Sequence, residues 1–99
     1  MANNLSIIRT YSAGVFFGEV TKVEDTLSGR VATIKNCRRL WYWSGAASLS
    51  QLALEGVKNP RGCKFTMTVQ EMEVIGVVEV IPATERAIES INSVEVWKI

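Results

Sequence analysis

The chain of 99 residues carries 11 Lys and Arg against 10 Asp and Glu, a formal net charge of +1, and 47% of it is hydrophobic. A chain this apolar and this weakly charged is not a disordered tail, and its length predicts a single domain over residues 1–99. It contains no His, the commonest general base and metal ligand, and its near-zero net charge argues against a protein that coats nucleic acid.

The first half of the chain predicts three antiparallel strands. Residues 5–11 and 15–23 are rich in β-branched and aromatic side chains, and the small residues 12–14 between them indicate a hairpin or a bulge. Residues 25–29 have the composition of a turn. Residues 31–43 then predict one long strand.

A short helix is expected next. Ser48 and Gln51 have the spacing of a capping box, in which each side chain binds a backbone amide near the helix start. Gly56 supplies a residue that can end the helix in a left-handed conformation. Residues 59–62, Asn-Pro-Arg-Gly, then fit a type I turn.

The last third predicts two strands, a second helix and a final strand. Apolar residues alternate over 65–69, as in a half-buried strand, and a change of phase predicts a bulge near residues 70–71. Residues 77–81 form the next predicted strand, Thr84 caps a helix, and 94–99 form the last strand. The predicted order is β-β-β-α-β-β-α-β, an α+β fold with a small, mainly antiparallel sheet and two short helices.

The cysteines and the first residues of the chain indicate the cellular compartment of the protein. Cys37 and Cys63 are predicted to be reduced and partly buried, as in a cytosolic protein. They lie far apart in sequence with no other soft ligand nearby, so no metal site is predicted. Residues 1–4 lack the features of a secretion signal. No apolar run reaches the ~18 residues of a membrane span, so no membrane partner is expected.

Charge is distributed unevenly along the chain. Residues 30–64 carry seven basic side chains and one acidic side chain, whereas residues 65–99 carry two basic and six acidic ones. The basic segment either pairs with the acidic one, within a chain or between subunits, or leaves a patch free for an anion.

Residues 38–50 in this basic segment combine the parts of a nucleotide site. Arg38 and Arg39 offer guanidinium groups for phosphate, and Trp41 and Trp43 are expected to share one strand face and offer an indole for a base. The helix start then offers free amides. The candidate ligand-binding residues are Arg38, Arg39, Trp41, Trp43, Ser48 and Ser50, with Arg9 and Arg61 as weaker candidates.

The same residues have a structural interpretation. A Trp-Tyr-Trp run in a small protein is also typical of the core of a sheet or of a subunit interface. In that case Arg38 and Arg39 pair with the acidic last third, and Ser48 acts as a helix cap alone.

Residues 9–15 and 38–53, with the Arg-Arg-Leu-Trp-Tyr-Trp stretch as the most distinctive part, resemble a family of small proteins encoded by tailed bacteriophages. Residues 56–57, Pro60, 63–65 and 94–98 fit the same pattern. The resemblance implies a phage origin and a location in the host cytoplasm, and it implies no catalytic residues.

The leading prediction is therefore a non-enzymatic phage protein without a cofactor that sequesters a nucleotide or another small anion, as some counter-defence proteins do. A homo-oligomer is expected, because so short a chain buries only about 60–70% of its unfolded surface. The alternative is a structural, assembly or host-protein-binding module whose aromatic strand is a subunit interface. Nucleic acid is not expected as a partner, because the net charge is +1.

Overall fold

The structure, a computed structural model, describes residues 5–99. The absence of a secretion signal was inferred from residues 1–4, which lie outside this range. The described chain forms five strands, β1 (Leu5–Thr10), β2 (Val15–Thr26), β3 (Gly29–Tyr42), β4 (Lys64–Ile75) and β5 (Val77–Pro82). Its helices are α1 (Leu49–Glu55) and α2 (Glu85–Asn92), with a short 3-10 turn, Pro60–Gly62, before β4. The predicted α+β fold is confirmed.

The five strands form one antiparallel sheet in the order β4-β3-β2-β1-β5. Although β4 and β5 are opposite edges, only Gly76 separates them along the chain. Adjacent strands lie about 4.8 Å apart, so a flat sheet would hold these edges about 19 Å from each other. The sheet must therefore curl far enough for the end of β4 to meet the start of β5.

Gly76 connects these two edge strands, and we call this connection the Gly76 joint. Its amide donates to the carbonyl of Arg30 at 2.9 Å, and its carbonyl accepts from the amide of Tyr11 at 2.8 Å. Its φ of +83° lies in the region that favours glycine.

Each face of the sheet has its own core, because neighbouring residues of a strand point to opposite faces. Ile7 and Phe17 face the two helices, whereas Ile8 and Phe16 face the inside of the curl. The helix-side core is completed by Leu40, Leu52, Ala53, Val57, Cys63, Phe65, Ile88, Ile91 and Val94. The core inside the curl is completed by Ala32, Ile34, Cys37, Val74 and Val77.

The two-sided core corrects the interpretation of β4. Met67 and Val69, predicted to lie with Phe65 on the apolar face of a half-buried strand, are exposed. The β3–β4 register shifts between Arg38 and Leu40 and between Leu40 and Tyr42, and not at residues 70–71. The alternation of apolar residues changes from odd to even positions along β4 because Phe65 is buried in the helix-side core and Val74 in the core inside the curl.

The predicted last strand, residues 94–99, is reduced to one parallel bridge between Phe65 and Val96. The Val94 side chain is buried in the helix-side core, and its carbonyl accepts from Arg38 at 2.6 Å. In a strand, the carbonyl of Val94 would pair with the backbone of a neighbouring strand. Here it pairs with the Arg38 side chain instead.

The local predictions around α1 hold in most details. Ser48 is the N-cap and Gly56 the C-cap, with φ +77° at the glycine. Gln51 accepts from the amide of Ala47 and not from that of Ser48, so the expected reciprocal bond is shifted by one residue. The predicted turn at 59–62 contains the 3-10 turn, closed by the bond from Gly62 to Asn59 at 3.0 Å.

Candidate functional site

Arg38 does not face a ligand. Its side chain is only 6% exposed and donates to the carbonyls of Thr66 at 2.8 Å, Ile91 at 3.0 Å and Val94 at 2.6 Å. Burial lowers the pKa of its guanidinium, and these three carbonyls supply the polar partners that a buried cation requires. The prediction that Arg38 binds phosphate is therefore wrong.

Arg39 lies on the opposite face of β3. It is exposed, and its guanidinium carbon lies 4.8 Å from the centre of the Phe16 ring, which belongs to the core inside the curl. Neighbouring strand residues point to opposite faces, so Arg38 and Arg39 cannot hold one phosphate together.

The start of α1 does not provide the predicted anion site. The Ser48 hydroxyl accepts from the amide of Gln51 at 3.1 Å, and the Gln51 side chain accepts from the amide of Ala47 at 2.8 Å. Ser50 is exposed on a helix of only seven residues. These contacts support the role of Ser48 as a helix cap alone.

Arg9 already forms an ion pair with a neighbouring carboxylate. Its Nε lies 2.7 Å from Oε1 of Glu79 on the neighbouring strand β5. An exposed ion pair of this kind contributes little to stability, but its carboxylate competes with any anion at Arg9.

Trp41 and Trp43 do not share one environment, contrary to the prediction. Trp41 is 59% exposed, whereas Trp43 is half-buried and packs against the helix-side core. The strand ends at Tyr42, so the alternation of faces does not continue to Trp43.

Trp41 instead stacks on a tryptophan from the end of the chain. The ring centres of Trp41 and Trp97 are 5.2 Å apart with 24° between the planes. Lys64 Nζ lies 5.3 Å from the Trp41 ring centre and 5.4 Å from that of Trp97. We call Trp41, Trp97 and Lys64 the tryptophan platform.

The tail that follows α2 brings Trp97 to this position. The Trp97 amide donates to the carbonyl of Phe65 at 2.9 Å, next to the bridge between Phe65 and Val96. The bond from Arg38 to the Val94 carbonyl holds the tail three residues earlier. Trp97 and Lys64 were missed as site residues, because a parallel bridge between the tail and β4 leaves no pattern in the sequence.

A cavity of about 750 Å³ opens beside Trp97, within the range of ~300–1,000 Å³ typical of ligand pockets. Arg61, a weaker candidate from the sequence, lies on its wall, and no carboxylate among residues 5–99 lies within 4 Å of its guanidinium. The remaining lining residues are Asn59, Pro60, Cys63, Ser93, Glu95 and Val96. We call this space the Arg61 cavity.

The arrangement combines aromatic surface with positive charge. Trp97 belongs to both the platform and the cavity wall, and Lys64 and Arg61 supply cations from β4 and from the turn before it. Indole rings stack on planar groups, and guanidinium and ammonium groups bind phosphate or carboxylate. Of the predicted residues, the structure brings only Trp41 and Arg61 to this region.

The two cysteines, predicted to be reduced and partly buried, are unpaired and buried in the structure. Burial raises the pKa of the Cys37 thiol to about 11, although the nearby Arg39 charge lowers it slightly. Within residues 5–99, no group of three or more His, Cys, Asp or Glu is placed to hold a metal ion. No helix of the described chain is long and apolar enough to cross a membrane.

No curated protein and no solved structure matches the chain at a significant level. A family model, described as a domain of unknown function, DUF6948, matches residues 4–91. This range includes Trp41, Arg61 and Lys64 and ends before Trp97. Because the match covers most of the chain, the protein belongs to the DUF6948 family.

Proposed function

We propose that this protein is a non-catalytic binding protein that holds a planar anionic ligand of the nucleotide class at the tryptophan platform and in the Arg61 cavity. The observation that carries the proposal is the convergence of Trp97, Lys64 and Arg61 beside one open cavity. A base stacks on the indole, and the phosphate is bound by the cations.

The charges around the cavity favour an anion. No acidic partner within residues 5–99 lies within 4 Å of Lys64 or Arg61, so neither cation must break an ion pair there to bind phosphate. Glu95 is the one carboxylate that lines the cavity. A ligand with a single phosphate fits this balance better than a polyphosphate.

The cavity favours binding over turnover. Its one thiol, Cys63, accepts from the amide of Ser44 at 3.4 Å and lies 3.4 Å from the carbonyl of Asn59. These neighbours are backbone groups, so they supply no general base to activate the thiol. Attack on a ligand by this thiol is therefore not expected, and in the proposal the ligand is held without turnover, as in sequestration.

The resemblance to proteins of tailed bacteriophages supports a setting for this activity. In the proposal the protein acts in the cytoplasm of an infected host and withdraws a nucleotide signal of host defence. Mass spectrometry of nucleotides that co-purify with the protein from infected cells would test this setting.

Calorimetric titration with a panel of linear and cyclic mononucleotides tests the binding itself. We expect at least one nucleotide to bind and Trp97→Ala to weaken it about tenfold or more, because stacking on one aromatic ring contributes ~1–3 kcal/mol. Arg61→Gln should weaken the same nucleotide through the lost phosphate contact.

Trp43→Phe is the matched control, because Trp43 lies on the helix-side core and not on the platform. It should leave the affinity unchanged. The proposal fails if no nucleotide binds at high micromolar concentration, or if Trp97→Ala binds as tightly as wild type. Chromatography of the incubated nucleotide should return it intact, and a new product would refute the non-catalytic role.

A second function, a subunit or host-protein interface, is favoured by one observation. Trp41, Tyr42 and Met67 are all more than half exposed near one end of β3 and β4. Large exposed apolar side chains that lie together are typical of interaction surfaces. A measurement of oligomeric mass separates this function from ligand binding.

A further inference from the structure

A second cavity, of about 650 Å³, opens where the curled sheet closes. It lies beside the Gly76 joint, between the β1–β2 and β2–β3 turns, and it shares no lining residue with the Arg61 cavity. Its apolar wall includes Phe16, Met72 and Val74, all of which belong to or pack on the core inside the curl. We call it the Arg39 cavity.

Arg39 supplies the charge of this cavity. Its guanidinium lies over the Phe16 ring, and the side chain makes no hydrogen bond or ion pair with any described residue, 5–99. The guanidinium therefore lies against the core inside the curl, to which Phe16 belongs. A guanidinium with five unused donors beside an apolar wall lacks a partner for its charge.

The remaining polar groups limit the charge of that partner. Tyr11, Ser12 and Ser28 also line the cavity, and Glu73 is the one acidic residue among its described lining residues. Arg39 is the one cation among the described lining residues, so the cavity offers one partner for a negative charge, and the Glu73 carboxylate further disfavours a dianion or a polyphosphate.

We propose that the Arg39 cavity binds a small amphipathic monocarboxylate. The carboxylate pairs with Arg39 through two parallel hydrogen bonds, the geometry that guanidinium and carboxylate groups share. The apolar body lies against Met72, which keeps exposed surface over the buried Phe16 and Val74. This site is independent of the nucleotide proposal, because it uses different residues.

Phenylbutyrate and its neutral amide, phenylbutyramide, are a suitable pair of probes, since they share one apolar body and differ in charge. Calorimetry should detect phenylbutyrate, with the amide at least tenfold weaker. Arg39→Gln should weaken phenylbutyrate about tenfold, because hydrogen bonds to a charged group contribute about 1.5–3 kcal/mol. Arg39→Lys, which keeps the charge, should restore part of the affinity.

Arg61→Gln is the matched control and should bind phenylbutyrate as wild type does. In amide NMR spectra, phenylbutyrate should shift the signals of Ala13 and Gly76 and leave that of Trp97 in place. Equal binding of acid and amide, an unchanged Arg39→Gln variant, or shifts confined to Trp97 would each overturn the proposal. Thermal melting of Arg39→Gln near the wild-type temperature shows that the loss does not come from unfolding.

Discussion

At the scale of single residues, Arg38 shows how a charged side chain can organise a small core. Its three carbonyl partners belong to β4, to the end of α2 and to the tail that carries Trp97. The guanidinium also lies 5.4 Å from the centre of the Phe65 ring. One side chain thus joins the sheet, the second helix and the tail.

Arg38→Lys should lower the free energy of unfolding by about 3 kcal/mol, because one ammonium group cannot reach three carbonyls that approach from different directions. Urea unfolding followed by circular dichroism measures this loss. Arg39→Lys, one position along the strand and exposed, should change stability by less than about 0.5 kcal/mol. Similar losses in the two variants would contradict the structural role of Arg38.

At the scale of elements, the two helices meet at a position with no room for a side chain. A Cβ on Gly56 would lie 2.3 Å from the Cβ of Ser90 in α2. The Ser90 hydroxyl accepts from the amide of Val57 at 2.9 Å and lies 3.1 Å from the carbonyl of the same residue. This contact fixes how closely α1 and α2 approach over the helix-side core.

Gly56→Ala should therefore cost about 3 kcal/mol, from backbone strain at φ +77° together with displacement of α2. Gly14→Ala is the matched control, because Gly14 also has a positive φ, +109°, but a Cβ there would meet nothing within 4 Å. It should cost about 1–2 kcal/mol, from backbone strain alone. Thermal unfolding of both variants tests the difference, and equal losses would show that the contact with Ser90 contributes nothing.

At the scale of the whole molecule, the β4 side of the sheet remains open to a partner. The helices cover one face and the curl encloses part of the other, but the tryptophan platform and the Met67 side chain stay exposed. Beyond Phe65, the outer edge of β4 has no strand partner within residues 5–99. An exposed strand edge is a template for pairing with another chain.

If this side is a subunit interface, the wild-type chain should have an oligomeric mass in light scattering, and Trp41→Ser should lower it to that of a monomer. The large effect is expected because aromatic side chains near the centre of an interface contribute most of its binding energy. Trp43→Phe should keep the wild-type mass. A Trp41→Ser variant with unchanged mass would remove the interface function and leave ligand binding.

The sequence predicts well those features that depend on neighbours along the chain. The cap at Ser48, the helix end at Gly56 and the β1–β2 turn are all local, and the structure confirms them. The site depends on contacts between distant residues. Arg38 was predicted to bind phosphate or to pair with the acidic last third, because no local pattern shows that carbonyls from three distant segments converge on it. The stacking of Trp97 on Trp41 likewise requires a tail position that only the folded chain defines.

The joint at Gly76 has a consequence for how the molecule folds. The strands β2, β3 and β4 pair with neighbours that are close in sequence or separated by one helical segment, whereas β5 pairs with β1, so that Ile7 lies opposite Ile81. Ring closure between such distant segments carries a high entropic cost, and topologies rich in these contacts fold in about milliseconds to seconds. A nascent chain can assemble the middle of its sheet early, but it closes the curl around its inner core only after residues 77–82 have been synthesised.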